Sequence, residues 1–335
     1  MSPLKACLII CTYQRPQAVL KLLASVNEQT TYPHQILIID GSLDTATQDA
    51  LASGSWKNLQ YHLVSKTDRG LTRQRNFGIQ LVDPSCDIVC FLDDDVILEP
   101  NYFEAILDTF SEKPEAVGVG GFITNEVEWT PLESGEGKSA NYFVYDGYYR
   151  SEGARYKLRA KLGLIEADAP GMMPSGSHGR PVGYLPPSGK IYPAELLMGC
   201  SMSFRKSVFG HSSFSTYFEG YGLYEDADFC LDVAKHGPQY INTNARLAHY
   251  HEASGRPNHY KYGKMVVRNG WYVWRCKYPK PSLKQRFRWN ATSFVLTMVR
   301  LSNAIKGNDR KAAFQESLGR FAGWGSLIFN KPKRA

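Results

Sequence analysis

The chain has 335 residues, 43% of them hydrophobic and 21% charged, which excludes a disordered or low-complexity chain and leaves enough apolar material for one large domain or two smaller ones. The net charge of +7 hides an asymmetry: residues 256–335 hold 18 Lys and Arg against 2 Asp and Glu, whereas residues 1–255 hold 21 against 30. The seven cysteines follow no CxxC or finger spacing, which predicts a reducing compartment and no zinc site, and no run of about 18 apolar residues predicts a simple membrane-spanning helix.

The N-terminal MSPLKACLIICTYQRP has too short an apolar run for a secretory leader, so a cytoplasmic location is expected. Residues 6–11 (ACLIIC) are apolar throughout, as in a strand buried on both faces. Residues 16–29 carry Val19, Leu22, Leu23 and Val26 at helical spacing. A strand at 35–39 ends at Asp40-Gly41-Ser42. A helix at 45–51, a strand at 59–64, a helix at 71–81, a strand at 87–92 and a helix at 101–110 follow. Such alternation predicts an α/β fold, a mostly parallel sheet flanked by helices. Ligands of such sheets bind beyond the carboxyl ends of the strands. Thr12-Tyr13, Asp40-Gly41-Ser42 and Asp93-Asp94-Asp95 converge on that edge.

Residues 123–195 are rich in Gly, Pro, Ser and Tyr and read as a long functional loop region. Regular structure resumes near Leu196, with a helix at 225–234 and a β-like run at 240–248. After Pro281, Leu283, Phe287, Phe294, Met298, Leu301 and Ile305 share one helical stripe. Phe314, Leu318, Phe321 and Ile328 form another.

The chemistry-bearing segments start with CFLDDDVIL, residues 90–98. Three adjacent carboxylates repel one another unless a cation sits among them, and carboxylates with open positions suit Mg²⁺ or Mn²⁺. The plain alternative is a solvated turn. In an extended segment Asp93 and Asp95 face one way. Asp40 can accept from a ribose hydroxyl or a base N–H, or close an Asx turn. Residues 66–80, KTDRGLTRQRNFGIQ, offer an Arg-rich helix start suited to phosphate, or simply a basic helix face. Glu225, Asp226 and Asp228 crowd one helical turn; a helix dipole accounts for one of them more readily than for three. A carboxylate there could act as general base toward a hydroxyl. His249 and His251 would face one side of a strand, and spacing alone does not choose between them.

Taken in order, CTYQRPQAVLKLLASVNEQT, ILIIDGSLD, DRGLTRQRNFGI, CFLDDDV, GCSMSFRKSVF, YEDADFCLDVAKHG and ARLAHYHEASG resemble the inverting glycosyltransferases of family 2 over roughly residues 5–255. The resemblance implies a GT-A fold, a Rossmann-like nucleotide-binding half (1–120) and an acceptor-binding half (121–255), followed by a basic amphipathic helical extension (256–335). It implies Thr12, Arg15, Asp40, Arg75, Asn76, Asp93 and Asp94 on the nucleotide-sugar side. It also implies Asp95 and His249, with His251 as the alternate, as ligands of Mn²⁺ or Mg²⁺, and Asp226 as the catalytic base. Gly199, Cys200 and Glu225 fall on the acceptor side. The sequence departs from the family pattern where Asp40 meets Gly41 directly and where Asp232 stands in place of a usual Arg. The implied reaction moves a sugar from a nucleotide-diphosphate sugar, UDP being the leading expectation, to a hydroxyl of a glycan or lipid-linked acceptor.

Two other classes compete. A nucleotidyltransferase would carry a Gly-rich GxGxR-type loop where this chain has CTYQRP, and a binding protein would not need both acidic clusters. The basic extension either rests on an anionic membrane, giving a peripheral location on the inner face of the plasma membrane, or packs on the catalytic domain. It contains no recognised nucleic-acid motif.

Overall fold

Strands β1 (Ala6–Thr12), β2 (Gln35–Asp40) and β4 (Ile88–Asp93) are apolar along almost their whole length because helices cover both faces of the sheet they build. A computed structural model of the chain describes residues 3–133, 139, 141–176, 178–218, 221–251 and 258–332. Residues 252–257, which include the end of the last family-like motif and the start of the basic extension, lie outside the described residues. The chain divides into two compact units, 1–128 with 181–255, and 129–180 with 256–335.

In the first unit the helices α1 (Pro16–Asn27), α2 (Ala46–Ala52), α3 (Leu71–Gln80) and α4 (Tyr102–Glu112) alternate with β1, β2, β3 (Leu59–Leu63), β4, the short β5 (Val96–Leu98) and β6 (Gly118–Ile123). In α1, Val19, Leu22, Leu23 and Val26 form the predicted stripe and are fully buried. Strands β3, β2, β1 and β4 pair in parallel. With β10 (Ile191–Ala194), β11 (Ser201–Arg205) and β12 (Gln239–His249), the strand order is β10-β12-β6-β11-β4-β1-β2-β3. Beyond β4 the sheet is mixed: β6 and β12 also pair in parallel, but antiparallel strands flank them. Strand β11 enters antiparallel between β4 and β6, and β5 pairs antiparallel with the end of β12. Helix α6 (Glu225–Val233) follows β11.

Register brings the functional ends together. Thr12 lies opposite Asp40, Cys11 opposite Asp93, and Val96 opposite His249. These pairings are backbone constraints, so the polar side chains after four separate strands share one edge whatever their own interactions.

The second unit corrects two expectations. Residues 129–180, read as a loop of the acceptor half, form a three-stranded ribbon of β7 (Thr130–Pro131), β8 (Tyr142–Tyr145) and β9 (Tyr148–Ser151), then α5 (Ala154–Lys161). They belong with the C-terminal helices because their carbonyls are held there: Trp274 Nε1 donates to Ser175 O at 2.9 Å and Arg288 to Gly163 O at 2.7 Å. Sequence reading also missed α7 (His259–Lys277), whose buried stripe of Gly263, Val267, Gly270 and Trp274 is half glycine. Helices α8 (Leu283–Lys306) and α9 (Arg310–Phe329) match the two predicted ones. Ser282 and Gln285 close a capping box at the start of α8. Among the described residues, no helix is long and apolar enough to cross a membrane.

Helices α7 and α9 cross almost backbone to backbone. A Cβ on Gly263 would lie 2.0 Å from the Glu316 carbonyl oxygen, and one on Gly319 would lie 2.0 Å from that of Tyr260. Neither neighbour is a flexible side chain that could swing away. Gly263→Ala should therefore force the helices apart and destabilise the second unit by about 1–3 kcal/mol. The check is chemical denaturation followed at the tryptophans, four of which (Trp271, Trp274, Trp289 and Trp324) lie in α7, α8 and α9.

Candidate active site

The triple Asp closes β4 and turns into β5, and its members divide their work. Asp94 points inward and is almost fully buried. Its two oxygens accept from Thr12 Oγ1 at 2.6 Å and from Arg15 at 3.0 Å. Withdrawal from water pushes its pKa up to about 6 despite the pull of Arg15 and Thr12. Thr12, Arg15 and Asp94 thus hold one another and fix the turn. Asp94 and Asp95 lie in the turn between β4 and β5, not in an extended segment; the turn brings Asp95 beside Asp93 and leaves it 3.7 Å from Arg15.

Asp95 meets the end of β12. Its Oδ1 lies 3.2 Å from His249 Nε2, and the Tyr250 N–H donates to its carbonyl at 3.0 Å. The ligating atoms of Asp93, Asp95 and His249 all lie within 4.8 Å of one another. Two carboxylate oxygens and one imidazole nitrogen at this separation fit a divalent cation of the Mn²⁺ or Mg²⁺ kind. His251 is not part of that group. A left-handed backbone (φ 43°) carries it off the strand, and its Nε2 lies 2.8 Å from Glu126.

Glu126 was not singled out from the sequence. Its Oε1 is 3.3 Å from His249 Nδ1, so His249 stands between two carboxylates. Asn125 braces the same spot, accepting from the His249 N–H and donating to its carbonyl, both at 2.9 Å. Burial alone would lower the His249 pKa, but hydrogen bonds to Asp95, Cys200 and Glu126 push it up to about 12. The Cys200 thiol, buried against this ring, is itself pushed up to about 11 by loss of water. Glu126, one of two Glu in the run TNEVEW, gives no signal, because its partner is more than a hundred residues away.

Asp40 is fully buried at the end of β2. It accepts from the Ser42 N–H at 2.8 Å, the Asx turn, and from the Tyr61 hydroxyl at 2.9 Å. Gln74 ties β1 to β2 by donating to the Thr12 and Ile39 carbonyls. Asn76 spends its amide on the Phe214 backbone, accepting at 3.0 Å and donating at 2.8 Å. It anchors the segment before α6 and does not join the acidic cluster.

Arg75 is the hub. Its buried guanidinium pairs with Glu225, donates to the Gly199 carbonyl at 3.1 Å and lies 3.5 Å from Asp93 Oδ1. Withdrawal from water, then the charge of Asp226, pushes Glu225 up to about 8 against the pull of Arg75. Asp226, one residue on, is held by the Gly199 N–H at 3.1 Å and the Ala227 N–H at 2.7 Å. A side chain at Gly199 would come 3.3 Å from Glu225 Oε1 and 3.5 Å from Asp226 Oδ2, so glycine keeps this approach open. Asp226 is close enough to Asp93 to add to the upward push on its pKa, behind the larger effect of burial.

The family model described as glycosyl transferase family 2 matches residues 7–173. The chain belongs to that family. Its fold, a mixed α/β sheet flanked by helices, is consistent with the GT-A architecture. Glucosyl-dolichyl phosphate glucuronosyltransferase of Haloferax volcanii is 28% identical over 123 residues, 36% of this chain and 38% of that protein. The uncharacterized glycosyltransferase YwdF of Bacillus subtilis is 23% identical over 181 residues, 49% of this chain and 63% of that protein. The chain thus spans less than two thirds of either relative. Among solved structures, TarS of S. aureus overlays with a TM-score of 0.45 at 12% identity, over 90% of this chain and 43% of TarS.

Arg75 lets the acids of this family 2 site coexist, and that can be tested directly. Arg75→Met removes the only side chain that touches both Glu225 and Asp93 in the interactions described above. It should cost about 3 kcal/mol of stability, the scale for breaking one side of a buried pair. Urea unfolding should show a lower midpoint with an unchanged slope.

Proposed function

We propose that this protein transfers a sugar from a nucleotide-diphosphate sugar, UDP being favoured as the carrier, to a hydroxyl group of a glycan or lipid-linked acceptor, with inversion at the anomeric carbon. The observation that carries the reading is the pairing of two acidic groups across one buried arginine. Asp93, Asp95 and His249 gather at the ends of β4 and β12, and Asp226 stands at the start of α6. Arg75 touches Asp93 on one side and Glu225, the neighbour of Asp226, on the other.

In the proposed reaction Asp226 takes the proton of the acceptor hydroxyl. The acceptor oxygen forms its bond to the anomeric carbon while the bond to the diphosphate oxygen breaks, the electron pair leaving with the nucleoside diphosphate. Two backbone N–H donors, Gly199 and Ala227, aim the Asp226 carboxylate and keep it from swinging. Asp40, with Tyr61 on its second oxygen, faces the base and ribose side. Thr12, Arg15 and Asp94 keep the triple-Asp turn in shape beneath the donor, and Asn76 supports the loop before α6. Asp95 and His249, with Asp93 as a third donor, would hold Mn²⁺ or Mg²⁺. When bound, that ion supplies positive charge against the departing diphosphate. Glu126 acts through His249: by accepting at Nδ1 it leaves Nε2 aimed toward Asp95 and fixes the ring.

Asp226→Asn keeps an acceptor for one of the two backbone N–H groups and removes the base. Transfer should fall by about 10²–10⁴-fold, while thermal shifts with UDP-, GDP- and dTDP-sugars and Mn²⁺ stay as in the wild type. A mutant that kept its turnover and lost donor binding would reverse the assignment. For Glu126→Ala, Mn²⁺ affinity followed by electron paramagnetic resonance should weaken by about 10–100-fold, with Glu126→Gln recovering most of it. His249→Ala serves as the control: unchanged affinity in that variant would show that His249 is no ligand.

A further inference from the structure

Helix α8 turns an apolar stripe outward. Leu283, Phe287, Phe294, Met298 and Ile305 recur at spacings of four and seven residues and fall within about 60° of arc. All five are exposed, Leu283 by 84% and Phe287 and Ile305 by 70% each. The opposite side of the same helix buries Trp289 and Thr292. The stripe is therefore a surplus of apolar side chains beyond what the unit's own core uses. Helix α9 adds Phe314, Leu318 and Ile328, also exposed and also on one side. The two helices are joined by the Trp324 indole donating to Asn290 at 2.7 Å and by the neighbouring rings of Phe294 and Trp324. Exposed apolar area on this scale marks a binding surface.

Charge selects the occupant. Residues 256–335 contain two acids in all. Glu316 is buried and held by Arg300 and Arg320, each at 2.7 Å, and Asp309 caps the N-terminus of α9. Lys284, Lys306, Arg310 and Lys311 are exposed beside the stripes. A second copy of the chain docking by this face would bring two strongly positive segments together, and nucleic acid would leave the aliphatic stripe without a partner. A bilayer with anionic headgroups satisfies both features, taking Leu, Phe and Ile among its acyl chains and Lys and Arg among its phosphates.

We infer that the outer face of α8 and α9 lies in the interface of an anionic phospholipid bilayer, flat against its surface. The inference gives the lipid-linked acceptor of the proposed reaction a location and rests on that reading for its purpose alone. Its test uses neither donor nor acceptor, so loss of the Asp226 assignment would leave it standing.

The full chain is sedimented with phosphatidylcholine vesicles, with and without phosphatidylglycerol. Wild type should partition at least about tenfold more strongly onto the anionic vesicles, less so as salt is raised. The triple variant Leu283→Ser/Phe287→Ser/Ile305→Ser changes only exposed positions and should lose about a hundredfold or more. Lys284→Gln/Lys306→Gln/Lys311→Gln should lose on the order of a hundredfold on anionic vesicles and little on neutral ones. Phe287→Trp should be quenched by lipids brominated on the acyl chain. Equal binding to both vesicle types, serine-variant binding equal to wild type, or an unquenched indole would each overturn the inference. So would a wild-type dimer in light scattering that the serine variant dissociates, since a second copy would then own the face.

Discussion

A single guanidinium conditions everything else at this site. Asp93, Glu225 and Asp226 come from the end of a strand and the start of a distant helix, and three carboxylates drawn together away from water repel one another. Arg75 offsets that repulsion from inside the protein. It lies near the rings of Phe91 and Phe214 and spends its donors on Glu225 and the Gly199 carbonyl. Those contacts join α3, β4, the turn before β11 and α6. The position of the proposed base is thus tied to the proposed metal site through one buried ion, not through a continuous element of backbone.

The acids around Arg75 are unequal because their surroundings are. Asp94 holds Thr12 and Arg15 and shapes the turn. Asp95 meets an imidazole, and Asp93 meets a guanidinium. Three identical residues in a row acquire three environments from the turn that closes β4 and from what each side chain meets there. Glu225 and Asp226 repeat the lesson at the start of α6. The first is buried against Arg75, and the second is held by two amides at the margin of the site.

The parallel half of the fold was legible because its rules are local. Continuous apolar runs such as ACLIIC become doubly covered strands, and the stripe of Val19, Leu22, Leu23 and Val26 becomes the buried face of α1. The triple Asp, Asp40 and Asp226 were legible for a related reason, since each follows a strand or opens a helix at a recognisable signal. Glu126, Gln74 and Tyr61 were not. Each acts on a partner distant in sequence, and nothing at its own position announces that partner. The ribbon at 129–151 escaped because its strands are two to four residues long, shorter than any pattern can register. Helix α7 escaped because two members of its buried stripe, Gly263 and Gly270, are glycines, which read as helix breakers and not as apolar positions. His251 groups with Glu126 and His249, whereas His249 alone of the two meets Asp93 and Asp95, a difference that spacing cannot reveal.

Strand β5 is only three residues long, and its pairing sets Val96 against His249 and Leu98 against Leu247. Side chains alternate along a strand, so a slip of one residue in that pairing would turn His249 away and bring Ala248 or Tyr250 to its place. Neither carries an imidazole. A molecule that closed this pairing one step out of phase would be short of a nitrogen donor, so the proposed ion would bind the correctly assembled sheet in preference to a misregistered one.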